Sequence, residues 1–465
     1  MEAMEAKTIM AKNPFYLQKL PLDAPFCGRE REKKILVERA ASGGKNTVVS
    51  APRRYGKTSL IWRVQDELKK QGVIIAYVDV SGTSTIDEFA ERLAKGLYES
   101  FAKEESLLER ARRFFSAWRP IIIPDTISGG VAVTVQPLSL KSGLPLLEEA
   151  LEALDKLLKN DKDVIFNIAI DEFQDIADIP NGYQVEALLR RHFQHQPNCS
   201  YFFLGSRRRL LRDMFEQKER PFYKSAVVEN IPTLPKDEFA SFLQGLFKDG
   251  GDKECPPEIA ENIVQVTNCH PYYGQRLSLA IFEAADGKTI SADDFSQGLA
   301  KMLATEEKGF SALANSLAPG QRKLLKALAL EPSARPFSVA YTQKHRLGSL
   351  TALRSALQRL EYLDYIERGD DDCYRLSDPV FSLCLNKNQT PIEHFPELRA
   401  EHQQNPLPSL MATKTQKALA RSHAEIIGYR SAEYLKQEAT IIETSNSSLG
   451  DVSEKEKAKP RVKLF

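Results

Sequence analysis

The stretch Val48-Val49-Ser50-Ala51-Pro52-Arg53-Arg54-Tyr55-Gly56-Lys57-Thr58-Ser59-Leu60 decides the reading of this chain. An apolar run ends, a turn carries Gly-Lys-Thr, and an amphipathic segment follows at once. That is the strand, loop and helix N-terminus of a phosphate-binding loop, in which backbone N–H groups and the helix dipole cradle an anion. Ala51, Pro52, Arg53, Arg54, Tyr55, Gly56, Lys57, Thr58 and Ser59 are the candidate nucleotide cradle. Gly56 permits close backbone approach, Lys57 is placed to reach β- and γ-phosphate oxygens, and the Thr58 hydroxyl to ligate Mg²⁺. The strict pattern opens on glycine, where this chain has Ala51. Alanine does not take positive φ cheaply, so the first turn of the loop is expected to differ. A chance Gly-Lys-Thr in a basic surface loop is the competing reading.

Val164-Ile165-Phe166-Asn167-Ile168-Ala169-Ile170 is long enough for a buried strand and ends in Asp171-Glu172. A carboxylate pair at the C-terminal end of such a strand suits Asp171 to hold Mg²⁺, through water, and Glu172 to deprotonate an attacking water. The alternative is an acidic helix N-terminus that only complements a dipole.

The chain has 465 residues, 42% of them hydrophobic and 27% charged, which fits two or three globular domains. A net charge of +1 sets up no global field for nucleic acid, so any such surface must be local. The six cysteines are scattered without a Cys-x-x-Cys pair, which reads as reduced thiols rather than a zinc site or disulfide framework. No apolar run reaches membrane-spanning length, and Met1–Lys12 lacks a signal-peptide core. The expected location is cytoplasmic.

Four regions separate along the chain. The first, 13–230, alternates strands and helices and reads as a three-layer α/β P-loop domain. Its predicted strands are Thr47–Ser50, Val73–Val78, the Asp171-Glu172 strand and a last one at Tyr201–Leu204, with a hairpin inserted at Ile121–Val135. Ligand is expected at the strand C-termini. There Gly205-Ser206 ends a strand, and Ser206 is the candidate sensor of γ-phosphate or lytic water. Arg207-Arg208-Arg209 reads as a solvated helix face, with phosphate or subunit contact as the alternative, and Arg190-Arg191 are alternative trans-acting fingers.

The second region, 231–306, is all-helical by its apolar spacing. It breaks at His270-Pro271, where His270 is either a plain helix cap or a group against the nucleotide. The third, 319–385, has the rhythm of a winged helix whose third helix exposes Arg354, Gln358 and Arg359. In DNA-binding relatives of this shape that helix enters the major groove. The acidic turn Gly369-Asp370-Asp371-Asp372 argues the other way, toward protein docking. The fourth, 386–465, is Pro-, Gln- and then Ser/Glu/Lys-rich, which predicts disorder with one helix at Gln416–Glu438. Its final Arg461-Val462-Lys463-Leu464-Phe465 fits a short docking motif, with a ring-shaped replication clamp as one conceivable partner.

Taken in order, these residues resemble the archaeal-type ATPases of the P-loop AAA+/STAND group, relatives of the origin-recognition initiators. The resemblance runs from Asn13 to Leu385. It is carried by Asn13-Pro14-Phe15, Phe26-Cys27-Gly28-Arg29-Glu30, Ala51–Thr58, Ile170-Asp171-Glu172, Leu204-Gly205-Ser206, Pro221-Phe222-Tyr223, His270-Pro271-Tyr272 and Ser377-Asp378-Pro379-Val380-Phe381. It implies a helical lid over ATP and Mg²⁺, base-side contacts from Gly28 and Arg29, and Pro271 near the nucleotide. It also implies slow or partner-stimulated ATP hydrolysis by Glu172, Lys57 and Ser206. The chain departs from the family at Ala51 and at Lys224-Ser225, where the family carries an arginine after Pro-x-Tyr. The partner implied is ATP, with duplex DNA or a protein reached through the winged helix. Nucleotide-dependent assembly into a homo-oligomer belongs to the protein-docking alternative.

Overall fold

The computed structural model describes residues 13–101, 118–125, 130–138, 140–160, 164–369 and 371–386. All of them lie in one compact unit, Met1–Pro391; the second unit, Ile392–Phe465, is outside the described residues, as are the expected helix at Gln416–Glu438 and the terminal motif.

A five-stranded parallel sheet positions the site. Its strands are β1 (Thr47–Ser50), β2 (Ile74–Asp79), β5 (Phe166–Asp171), β6 (Cys199–Gly205) and β7 (Val227–Asn230), in the order β2-β5-β6-β1-β7. Every residue of β1, β5 and β6 is buried, as expected of central strands covered on both faces. Helices α1 (Glu30–Ala40) and α2 (Lys57–Lys70) pack together on one side. Helices α3 (Ile86–Phe101), α4 (Leu144–Asn160), α5 (Gly182–Phe193) and α6 (Arg208–Glu216) belong with the larger core, which includes Phe166, Phe173, Phe203, Phe215 and Phe222. The antiparallel hairpin β3 (Trp118–Asp125) and β4 (Gly130–Pro137) stands where the sequence predicts it. One strand was not foreseen. β7 follows Tyr201–Leu204, so the expected last strand is the penultimate one.

Four helices follow: α7 (Lys236–Gly251), α8 (Pro257–Val266), α9 (Pro271–Ala284) and α10 (Ala292–Ser316). Ser291 opens α10 with a capping box to Asp294. α10 continues past the expected boundary at 306 and stacks Phe310 on Phe381, with ring centres 4.6 Å apart. The lid therefore shares a helix with the winged-helix core. That core is built from α11 (Pro319–Leu330), α12 (Val339–Lys344), α13 (Leu350–Tyr362), the antiparallel pair β8 (Ile366–Arg368) and β9 (Tyr374–Leu376), and α14 (Pro379–Leu385), a helix the sequence reading did not assign. Arg354, Gln358 and Arg359 are exposed on α13, as expected. In the wing, Asp371 pairs with Arg375 and Asp372 with Arg368, so these acids are partly neutralised within the turn.

Candidate nucleotide site

The phosphate loop joins β1 to α2. Its left-handed residues are Arg54 (φ 63°) and Gly56 (φ 82°), while Ala51 is not among the positive-φ residues. The loop thus places its turns away from the position where alanine would be costly. Lys57, buried at the head of α2, donates to the carbonyls of Ala51 (3.3 Å) and Pro52 (3.5 Å) and so closes the loop on itself. Burial lowers its pKa, and the carboxylates of Glu172, Asp171 and Asp364 oppose that shift.

Parallel pairing brings β5 to the same sheet edge. The Thr58 hydroxyl donates to Asp171 Oδ2 at 2.8 Å, and the Tyr77 hydroxyl donates to the same oxygen. These are hard oxygen donors side by side at the end of the β1–α2 loop, and they fit Mg²⁺ held together with water oxygens. Burial, then the Asp171 charge, raises the Tyr77 pKa far above its usual value, so Tyr77 remains a donor. Glu172 takes a left-handed backbone (φ 55°), an unusual conformation for a non-glycine residue. Its Oε2 accepts from the Ser206 hydroxyl (2.8 Å), the Ser206 N–H (3.2 Å) and Gln174 Nε2 (2.6 Å). A Cβ at Gly205 would lie 1.9 Å from Gln174 Oε1, so a larger residue here would displace the Gln174 side chain that holds Glu172.

A cleft of about 240 Å³ joins these parts; it is lined by Arg53, Arg54, Gly56, Lys57, Thr58, Ser59, Glu172 and Pro271, together with Tyr272, Gln275 and the leader residues 16–20. The leader is tied across it: Leu20 N–H donates to Ser59 Oγ (3.2 Å) and Tyr16 N–H to Gln275 Oε1 (2.8 Å). Sequence reasoning missed this strap, since its only signal was Asn13-Pro14-Phe15. Ala51 and Tyr55 are buried within the loop, and Pro52 and Ser206 line a second cavity of about 460 Å³ on the winged-helix side. Gly28 and Arg29 do not line the cleft; Arg29 Nη1 donates to the Pro232 carbonyl at 2.5 Å.

His270 stands at the N-cap of α9 and its carbonyl accepts from the Gly274 N–H (2.9 Å), but its side chain makes no capping hydrogen bond. Its ring packs on Tyr55 (4.6 Å) and Tyr273 (4.7 Å), against the phosphate loop. Burial drives its pKa down to about 3, so it is neutral at ordinary pH. A histidine with a depressed folded pKa contributes stability that is complete above its unfolded value near 6.5 and is lost as pH falls toward 3. His270→Phe should therefore flatten the loss of urea-unfolding stability between pH 6.5 and 5, by about 1 kcal/mol per pH unit on average over that range. Equal slopes in both proteins would rule this assignment out.

Arg207-Arg208-Arg209 is not a solvated face. Arg207 pairs with Asp175 (2.9 Å) and Asp178 (2.7 Å), and Arg209 with Glu361 (2.5 Å). Arg208 Nη2 meets Glu367 Oε2 at 2.7 Å, and its backbone N–H donates to Asp364 Oδ2 at 3.2 Å. The acids on Arg208 and Arg209 come from α13 and the start of the wing, too far along the chain for a local pattern to show, while those on Arg207 follow β5. Tyr273 OH adds a bond to Asp378 Oδ2 at 2.6 Å. Arg191 pairs with Glu148, and Arg220, just before Pro221-Phe222-Tyr223, pairs with buried Glu186. Phe222 itself belongs to the aromatic core, 5.4 Å from Phe173.

The fold is a parallel-sheet P-loop NTPase fold followed by a winged helix. Residues 308–387 match the family described as "Probable winged helix domain". The chain is similar to the Walker-type ATPase PABY2304 of Pyrococcus abyssi, 19% identical over 80% of this chain and 99% of that one, with a TM-score of 0.59. The Aeropyrum pernix ORC2 protein in ADPNP and ADP complexes is 15% identical over 80% and 97% of the two chains, with a TM-score of 0.46. The ORC1 protein of Aeropyrum pernix in complex with DNA is 14% identical over 81% and 95%, with a TM-score of 0.43. No curated protein matches the chain.

Proposed function

We propose that this protein binds ATP with Mg²⁺, hydrolyses it, and uses the bound state to set the position of its winged helix. The observation that carries the reading is the 2.8 Å bond from Thr58 to Asp171, with Lys57 and Glu172 on the same cleft. In this reading the loop amides and Lys57 hold the phosphates. Thr58 directly, and Asp171 through water, would hold Mg²⁺, which would supply positive charge beside the phosphates. Glu172 accepts the proton of the attacking water. Ser206 and Gln174 fix Glu172 through Oε2, which leaves Oε1 for that water. The reading agrees with the description of the Pyrococcus abyssi protein as a Walker-type ATPase. No described helix is long and apolar enough to cross a membrane.

Switching follows from differential contact. Arg208 sits two residues after Ser206 and is held by acids of the winged helix, while α10 links lid and winged helix in one rod about 38 Å long. A second reading, association with duplex DNA, is favoured by the exposed Arg354, Gln358 and Arg359. ATP hydrolysis with and without duplex DNA, against a Lys57→Ala control, tests both. Turnover lost in the control supports the ATPase. DNA stimulation that falls steeply with salt supports the second reading, and turnover indifferent to DNA favours a protein-responsive switch. Absence of turnover in the unsubstituted protein, with tight ATP binding, would reduce it to a binding scaffold.

A further inference from the structure

The charge balance around the phosphate loop singles out one side chain. Arg29, Arg207, Arg208, Arg209 and Arg220 are all engaged, on a carbonyl or on carboxylates. Arg53 and Arg54 are exposed, and among the described residues neither has a carboxylate partner. Arg54 holds a left-handed backbone in the middle of the loop and lines the cleft with Lys57, Thr58 and Glu172. Its guanidinium rests 4.3 Å from the centre of the Tyr272 ring, on the lid helix next to Pro271. The Tyr272 ring is half-buried and Arg54 itself is exposed, so the cation–ring contact is weaker than the charge-assisted, bidentate bonds a guanidinium makes on phosphate. The lysine after Pro-x-Tyr offers no substitute, since Lys224 lies over Tyr223 and does not line the cleft.

We propose that Arg54 is a cis-acting catalytic arginine, exchanging Tyr272 for γ-phosphate oxygens as charge develops on them. The inference rests on the ATPase reading. In the step it serves, the water oxygen bonds to the γ-phosphorus while the bond from that phosphorus to the bridging oxygen breaks. Glu172 takes the water proton, and ADP leaves with the electron pair. Arg54 forms no covalent bond; it stabilises the equatorial oxygens, as arginine fingers do.

The test uses the full chain and compares affinity for ADP with affinity for ADP plus Mg²⁺ and aluminium fluoride, alongside steady-state kinetics. Arg54→Ala should lower kcat by about 10²–10³ with KM little changed, and should weaken the aluminium fluoride complex without weakening ADP. Arg54→Lys should recover only part, because it lacks the planar fork. Tyr272→Ala should preserve the ratio of the two affinities. The proposal is overturned if Arg54→Ala weakens both ligands equally, if Tyr272→Ala reproduces its effect, or if Arg53→Ala shows the effect instead. Recovery of turnover on mixing Arg54→Ala with Lys57→Ala protein would overturn the cis assignment. No turnover by the unsubstituted protein sinks the ATPase reading along with it; normal turnover in Arg54→Ala sinks the arginine alone.

Discussion

Glu172→Gln is expected to cut ATP turnover by about 10²–10⁴ while leaving ATP affinity within about threefold. The substitution keeps the size of the side chain and its ability to accept from Ser206, so the 2.8 Å contact and the loop geometry survive. What it removes is a basic oxygen. An amide cannot take a proton from water, and Gln174, two residues on, cannot supply one either. The left-handed backbone at Glu172 makes the position sensitive to shape, which is why the isosteric change is the informative one. Phosphate release and binding of a fluorescent ATP analogue, measured on the same preparation, separate the two effects. Unchanged turnover would remove Glu172 from its role, and lost affinity would make it a binding group. Ser206→Ala should fall between, because Glu172 would keep only the Ser206 N–H and Gln174.

The parts of the fold that follow from local pattern were legible before the structure. β1, the loop and α2 are fixed by the apolar run, Gly56 and the amphipathic spacing after Lys57, and β5 by a stretch that is apolar but for Asn167 and that two neighbouring strands bury. β7 was not legible, because Val227-Val228-Glu229-Asn230 is a short edge strand paired only to β1 and only partly buried. The same limit governs the site. Thr58, Asp171 and Glu172 announce themselves by position after strands. The Tyr77 hydroxyl on Asp171 and the acids on Arg208 do not, since both depend on tertiary pairing between distant residues. The arginine triplet reads as surface for that reason. A run of like charge on a helix is ordinarily solvated, and nothing in 207–209 tells that Glu361, Asp364 and Glu367 will meet Arg208 and Arg209.

That covered arginine leads to the second large effect. Arg208→Ala should detach the winged helix from the P-loop domain, seen as loss of hydrogen-exchange protection in α13 and β8. The contact is substantial: Arg208 meets Glu367 and Asp364, Arg209 meets Glu361, and Tyr273 meets Asp378. Asp364 is mostly buried, and that burial raises its pKa despite the neighbouring guanidinium. Removing Arg208 leaves this carboxyl buried without its cation, a change that typically costs about 3–5 kcal/mol. Separation of the domains is the relief available. Asp364 and Arg208 also act electrostatically on Lys57, so the acids stand close to where phosphate charge would arrive. ATP and the acidic face of the winged helix should then oppose one another, and ATP should loosen docking in the unsubstituted protein but add little in Arg208→Ala. Asp364→Asn should loosen it less, because the amide oxygen still accepts the Arg208 N–H while the charge pair is lost. An Arg208→Glu, Asp364→Arg double exchange should restore part of the protection, which a merely unstable helix α6 would not allow. Equal protection in the unsubstituted protein and in Arg208→Ala would show that the Arg208 pairs do not hold the domains together, and the switch would have to act through Arg209–Glu361, Tyr273–Asp378 and α10.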